Sequence, residues 1–264
     1  MDALTRSVAD LMRQVAAEVI MPRFRNLAAH EVEEKSAGEQ VTIADKESEA
    51  RLNEGLARLL PEAGLIGEEA CAADPGLINK LSSGLNWLID PIDGTSNFAS
   101  GNPPFGIMIA LVDGGETQAS WMLDPITGRL CHAALGKGAT IDGDRVHARE
   151  SGAPLPIAGL SLLFVDPDRR QGMIDRAEGK LTMAPIPRCA AEQYPRIVLG
   201  QHDIALFERT LAWDHAPGVL FVNEAGGRVA RPDGSAYRPD QDRKGMLAAS
   251  SPAMWDVGAA ILYG

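Results

Sequence analysis

The sequence predicts an α/β protein whose first half is mostly antiparallel, and three observations carry that reading. Apolar residues recur at helical spacing in two early stretches. From residue 105 to 135 they alternate between turn signals, and beyond about residue 155 the texture changes again. Taken in order, Leu4, Val8, Leu11, Val15 and Val19 share one stripe, so residues 3–21 form an amphipathic helix that stops before Pro22. Residues 31–40, EVEEKSAGEQ, are polar and read as a mobile loop. A second helix covers 46–60, with Leu52, Leu56, Leu59 and Leu60 on one stripe, Asp45 as its cap and Pro61 as its stop. Trp87-Leu88-Ile89 is an apolar run of the kind that makes a buried strand. The antiparallel strands of 105–135 turn at Asp113-Gly114-Gly115 and at Asp124-Pro125, and 136–146 adds a hairpin about Asp142-Gly143. The stretch LSLLFVDPDRR (160–170) reads as a strand, helical stretches follow, and a soft boundary falls near residue 150. It divides an α+β half (1–150) from an α/β half (151–264), packed as one compact unit.

Composition excludes several functions. At 264 residues with 45% apolar and 23% charged side chains, the chain can bury a real core and is typical of soluble proteins. No apolar run approaches the ~18–20 residues of a membrane span, and MDALTRSVADLM lacks the basic and apolar regions of a signal peptide. Cys71, Cys131 and Cys189 lie far apart with no CxxC spacing, so a cytoplasmic location without a disulfide framework is expected. A net charge of −11 argues against nucleic-acid partners, whose phosphates need Lys and Arg. It also repels small anions, so a phosphate substrate would need something that inverts the field locally.

Acidic residues supply that candidate. Glu68 follows Leu65-Ile66-Gly67; Asp90 and Asp93 follow Trp87-Leu88-Ile89; Asp214 precedes the apolar run Val219 to Val222. A single acid at an element's end is usually a cap or turn former. Three such sites against apolar segments are harder to explain that way, because a carboxylate there protonates, pairs with a cation or holds metal. No Lys or Arg lies within seven residues of Asp90 or Asp93 in the sequence, which favours metal. The donors are all oxygen, so Mg²⁺ is preferred over zinc or copper. Two ions sharing Asp90 could clamp a phosphoryl group. Directly after Asp93, Gly94 allows close backbone approach, and Thr95-Ser96-Asn97 suit a helix start whose N–H groups cradle an anion.

These segments resemble a known family. GEE (67–69), WLIDPIDGTSNF (87–98) and WDHAPG…EAGG (213–227) are similar to the signatures of the inositol monophosphatase family, relatives of fructose-1,6-bisphosphatase and the 3′(2′),5′-bisphosphate nucleotidases. KSAGEQVTIADKESE resembles its mobile loop and second helix, and GKGATIDG its GxGAxxNG hairpin. The resemblance implies a layered α-β-α-β-α sandwich, usually dimeric, acting as a lithium-sensitive, Mg²⁺-dependent phosphatase with two to three ions per site. It implies that Glu68, Asp90 and the Ile92 carbonyl bind a first ion, that Asp90, Asp93 and Asp214 bind a second, and that Glu68 helps hold a third. Thr95, bonded to Asp45, would orient or deprotonate the attacking water, with Asp93, Gly94 and Thr95 at the phosphate.

Departures cluster where the leaving group would lie. The family's GSAA segment is RCAA here (188–191), which places Arg188 and Ala191 in the substrate pocket; Pro195 should kink the following helix or shift its start. Glu208, the candidate substrate-contacting acid, stands one residue too close to Asp214. No Pro precedes Trp213, and Gln40 replaces a common acid. The expected activity is hydrolysis of a small phosphorylated alcohol, inositol monophosphate-like first. A bisphosphate nucleotide, a sugar phosphate or histidinol phosphate could serve instead, and a non-catalytic binding subunit is the alternative class. Other phosphatase chemistries fit worse. The DxD-type nucleophile would need Thr or Val where LLFVDPDRR has Arg170, and neither Cys131 nor Cys189 has the Cys-x5-Arg spacing.

Overall fold

The structure is a computed structural model, and it describes residues 2–36 and 39–264. Helix α1 (Ala3–Val15) starts at Asp2, whose side chain accepts the Thr5 N–H at 2.7 Å, and continues into a π turn over Ala16–Ile20. The stripe read from the sequence is thus helical to within a residue of its predicted end. The polar segment 31–40 is not a loop throughout. After a 3₁₀ turn (Ala29–Glu31), β1 (Val32–Ser36) and β2 (Glu39–Thr42) pair antiparallel with Val32 opposite Thr42. The ladder satisfies the backbone of a segment that is mostly polar in sequence, so no apolar alternation announced it. Ala37 and Gly38 lie outside the described residues. Helix α2 (Ile43–Leu59) begins three residues before its predicted start. Thr42 is the cap, its hydroxyl accepting the Ala44 N–H at 3.1 Å, and Asp45 reaches back to the Thr42 N–H at 2.8 Å. That is a capping box with Asp in the third position.

The remaining first half is β3 (Gly64–Gly67), α3 (Glu68–Ala73), a 3₁₀ stretch (Pro75–Ser82), β4 (Leu85–Asp93) and α4 (Thr95–Ala99). Strands β5 (Gly106–Asp113), β6 (Glu116–Leu123), β7 (Leu130–Ala134), β8 (Gly138–Ile141) and β9 (Asp144–Val146) follow. β3 to β9 form one seven-stranded sheet in chain order, antiparallel except for the β3/β4 pair, with turns where the sequence placed them.

The second half is β10 (Ile157–Leu160), α5 (Pro167–Ala177), β11 (Thr182–Met183), α6 (Ala190–Val198), β12 (Ile204–Phe207), α7 (Ala212–Glu224), β13 (Arg228–Ala230), β14 (Met246–Ala249) and α8 (Pro252–Tyr263). Its five strands run in the order β11-β10-β12-β14-β13. The strand predicted over LSLLFVDPDRR is corrected: it ends at Leu160. Leu163 and Phe164 are 66% and 48% exposed, and Asp166 caps α5 by accepting the Asp168 N–H at 3.0 Å. One apolar run there serves a strand end, a cavity rim and a helix start. Helix α6 runs through Pro195 without a break.

Alternation along the strands sorts the layers. Ile107 and Ile109 of β5 pack with Val8, Met12, Leu52 and Leu56 of α1 and α2, whereas Met108 packs with Tyr194 of α6 and Phe221 of α7. In the smaller sheet Ala205 and Ala248 join that same middle layer, while Ile204 and Leu247 face Met173 of α5 and Trp255 of α8. The layers are therefore α-β-α-β-α. Strand β4 contains one irregularity. Asp90 lies opposite Met108 and Asp93 opposite Gly106, so two residues, Pro91 and Ile92, stand against Ile107 alone. This is a β-bulge, where a proline costs least. It turns Ile92 toward the α1/α2 core with Trp87 and Ile89, and Asp90 and Asp93 toward one cavity. Regular alternation would aim residues three apart at opposite faces. Burying each of those apolar side chains is worth roughly 1.5–3 kcal/mol. A ladder bond forgone costs about 1 kcal/mol, so the strand holds through the bulge.

Candidate active site

The carboxylates named from the sequence meet at one cavity of about 770 Å³, lined among others by Glu68, Asp90, Ile92, Asp93, Gly94, Thr95 and Asp214. The four acids come from three places in the fold. Glu68 opens α3 at the tip of β3, Asp90 and Asp93 flank the β4 bulge, and Asp214 lies in the first turn of α7. Asp93 is gripped from the second half of the chain. The Ala191 N–H donates to its Oδ2 at 2.6 Å and the Cys189 Sγ lies 3.0 Å from the same atom. The Asp90 Oδ1 accepts the Ile92 N–H at 3.0 Å.

Crowding sets the electrostatics. Burial, and then the charges of Glu68, Asp214, Asp93 and Asp45, push the Asp90 carboxyl well above its ordinary range. Burial raises Asp214 likewise, helped by Asp93 and Glu68 and opposed by Arg209. Burial lifts Asp93 to about 6 against its hydrogen bonds from Cys189, Ala191 and Ala190. Arg209 opposes this at Asp214 alone, so the buried acids remain short of positive charge, and all-oxygen donors suit a hard divalent cation. The residues fit that group in chemistry and share one cavity. Among the described residues, however, no three His, Cys, Asp or Glu side chains stand as a finished coordination shell.

Beside the acids, Gly94 takes φ +84°, and a Cβ there would lie 3.1 Å from the Pro104 carbonyl oxygen and 3.2 Å from the Cys189 Cβ. Only glycine combines that φ with so close an approach. The next residue opens α4, whose first N–H groups have no intrahelical acceptor. The Thr95 hydroxyl lies 2.9 Å from the Ile92 carbonyl oxygen and 3.1 Å from the Asp45 Oδ1, and its one proton can serve either. Asp45 does not line the cavity. It is buried beneath Thr95, and its other oxygen takes the Thr42 N–H and hydroxyl. Helix-capping and Thr95-orienting roles are therefore not alternatives: one oxygen does each. Burial raises this carboxyl to about 7.

The leaving-group residues are placed differently from one another. Arg188 lines the cavity with φ +54°, a left-handed backbone that costs a side-chain-bearing residue on the order of 1 kcal/mol. Ala191 offers Asp93 its N–H, while Ala190 takes the place on the wall. Glu208 is 7% exposed, pairs with Arg169 at 3.0 Å and is not on the cavity lining. Sequence reasoning missed several contributors. Phe164 and Arg209 line the cavity, with the guanidinium 4.7 Å from the ring centroid. Glu49 accepts the Glu69 and Ala70 N–H groups at 2.7 and 2.9 Å, steadying the helix start that carries Glu68. Its partners are twenty residues away, so no local pattern could have exposed it.

Comparison with known proteins places this geometry. A family model described as the inositol monophosphatase family matches residues 2–262. An inositol-1-monophosphatase of Caulobacter vibrioides is 31% identical over 248 residues, 89% of this chain and 92% of that one. A chloroplastic phosphatase of Arabidopsis thaliana is 29% identical over 246 residues, 87% of this chain, which spans 63% of that relative's length. A solved IMPase structure from Thermotoga maritima superposes with a TM-score of 0.80 at 26% identity, covering 100% of this chain and 99% of the other.

Proposed function

The chain belongs to the inositol monophosphatase family, and from that premise we propose that it is a Mg²⁺-dependent phosphomonoesterase acting on a small phosphorylated alcohol. The observation that carries this reading is the convergence of Glu68, Asp90, Asp93 and Asp214 with the Gly94-Thr95 turn on one cavity. The expected ion positions are Glu68, Asp90 and the Ile92 carbonyl for one, Asp90, Asp93 and Asp214 for another, with Glu68 helping a third. Bound there, magnesium would supply the positive charge that an acidic chain lacks and would acidify the nucleophilic water.

The protein's own residues do the rest. Gly94 and Thr95 present backbone N–H groups to the phosphoryl oxygens, as a helix start does for an anion. Asp93 is held in one rotamer from two sides, so its aim does not depend on the ligand. The Thr95 hydroxyl accepts a hydrogen bond from the attacking water and passes its own proton toward the Asp45 Oδ1, 3.1 Å away. A threonine hydroxyl is too weak a base alone. A carboxyl near 7 is matched to receive a proton at neutral pH. Inositol monophosphate-like esters lead as substrates. A cytoplasmic homodimer is the expected form, and Li⁺ should compete at the site of Asp90, Asp93 and Asp214.

Phosphate release from a panel of small phosphate esters tests the proposal. Turnover should require Mg²⁺, stop with chelator, and fall with millimolar Li⁺ but not with Na⁺. Undiminished turnover in excess chelator would overturn the metal-dependent reading, and a flat Li⁺ curve would remove the lithium site.

A further inference from the structure

Among the described residues, three that are not glycine hold a left-handed backbone: Arg25, Asp142 and Arg188. Two of them are tied down locally. The Arg25 Nε donates to the Gly101 carbonyl at 2.9 Å, and the Asp142 Oδ1 accepts the Leu130 N–H at 2.8 Å within a hairpin turn. Among the described residues, the Arg188 side chain has neither a hydrogen bond nor an ion pair. The backbone around it is held, the Pro187 carbonyl by the Asn97 Nδ2 at 3.0 Å, so the fold keeps a left-handed residue here while leaving its guanidinium unpartnered, and such backbone outliers cluster at functional sites.

Its position says which function. Arg188 is exposed on the cavity wall, and its carbonyl oxygen would lie 3.5 Å from a Cβ on Gly94, so it borders the phosphate turn. The same cavity has the exposed Leu163 and Phe164 at its rim, with Arg209 over the Phe164 ring. The acid that would read neutral hydroxyls, Glu208, is paired with Arg169 away from the lining. A guanidinium offers a rigid fork of donors matched to a carboxylate or phosphate, and it stays charged at any working pH. A neutral polyol offers it hydroxyl acceptors but no opposite charge.

We propose that Arg188 reads a second negative charge on the leaving alcohol, so that this chain prefers phosphate esters whose alcohol also carries a carboxylate or a second phosphate. This rests on the phosphatase reading above and narrows it from small phosphorylated alcohols to doubly anionic ones.

Matched substrate pairs test it in the intact protein with Mg²⁺. Glycerol 2-phosphate against 2-phosphoglycerate isolates a carboxylate; fructose 6-phosphate against fructose 1,6-bisphosphate isolates a second phosphate. The wild type should favour the doubly anionic member of at least one pair by about 10-fold in kcat/KM, the scale of one charge-assisted contact. Whichever pair responds identifies the group. Arg188→Gly, which suits the left-handed backbone and should not lower Tm, should bring that ratio close to one, and Arg188→Lys should retain part of it. A wild type indifferent to the second charge, or an unchanged ratio in Arg188→Gly, would overturn the proposal. If neither these esters nor inositol monophosphate release phosphate, the phosphatase reading has failed, and calorimetric binding of the same esters decides Arg188 alone. Tighter binding of the doubly anionic member, lost in Arg188→Gly, supports it, and equal binding refutes it.

Discussion

The floor and the rim of the cavity are built by opposite means. The floor is backbone-determined: a bulge aims Asp90 and Asp93, a strand tip places Glu68, and a helix start presents Asp214. Asp90 and Asp93 are buried, and Asp93 and Asp45 take hydrogen bonds from two sides. The rim is set by side chains on irregular segments, with Leu163, Phe164 and Arg188 all exposed and Arg188 left-handed. The contrast teaches that, on the proposed reading, the groups assigned to chemistry and those assigned to selectivity are built by different parts of the chain.

That separation makes a graded set of expectations. The largest effect should come from the floor: Asp90→Asn should lower kcat by about 10³-fold, the scale for losing a charged group that stabilises the transition state. It should do so for every ester alike. A loss confined to one substrate would break the distinction. Next, Asp45→Asn and Thr95→Ala should each lower kcat by about 10²-fold. Their double mutant should be little worse than either, because residues acting as one unit are not additive. Additive losses in that cycle would mean that Asp45 serves α2 alone. A smaller effect belongs to the rim's supports. Arg169 is half-exposed, so Arg169→Ala should change kcat/KM by no more than about 2-fold, as for a surface ion pair. A large, substrate-dependent change would bring Glu208 back into the pocket.

Stability gives the smallest signal, with a definite sign. Asp45 is raised from the usual 3.8 to about 7 and Asp93 to about 6, so the folded state holds more protons than the unfolded one between about pH 4 and 7. Their contribution is complete below pH 4 and lost as pH rises through 6 to 7. Metal-free protein should therefore lose several degrees of Tm from pH 5 to 8, and the rise in Tm produced by Mg²⁺ should be larger at pH 8 than at pH 5. A magnesium increment independent of pH would mean that the carboxylates are not where the cation binds.

That the floor's acids gather was legible in the sequence because they sit within short motifs next to apolar strands, and the hairpins because Asp113-Gly114-Gly115 and Asp142-Gly143 are strong turn signals. What escaped was non-local or ambiguous. Thr42 shared the cap of α2 with Asp45, so the helix start was read three residues late. The β1/β2 ribbon carries no apolar alternation. Leu163 and Phe164 look like a strand to any hydrophobicity pattern, although they form a rim, because pattern reports apolarity and not the direction it faces. The positive φ of Arg188 has no signature at all in a residue that is not glycine.

The grip of α6 on Asp93 has one further consequence. The helix that donates the Ala191 N–H to that carboxylate begins two residues after Arg188, so the proposed cation and leaving group would pull on opposite ends of one short lever. Linkage makes such an arrangement reciprocal: whatever factor the leaving group applies to cation affinity, the cation must apply to leaving-group affinity. Half-saturation by Mg²⁺ should then shift with the alcohol released, and Arg188→Gly should erase the shift.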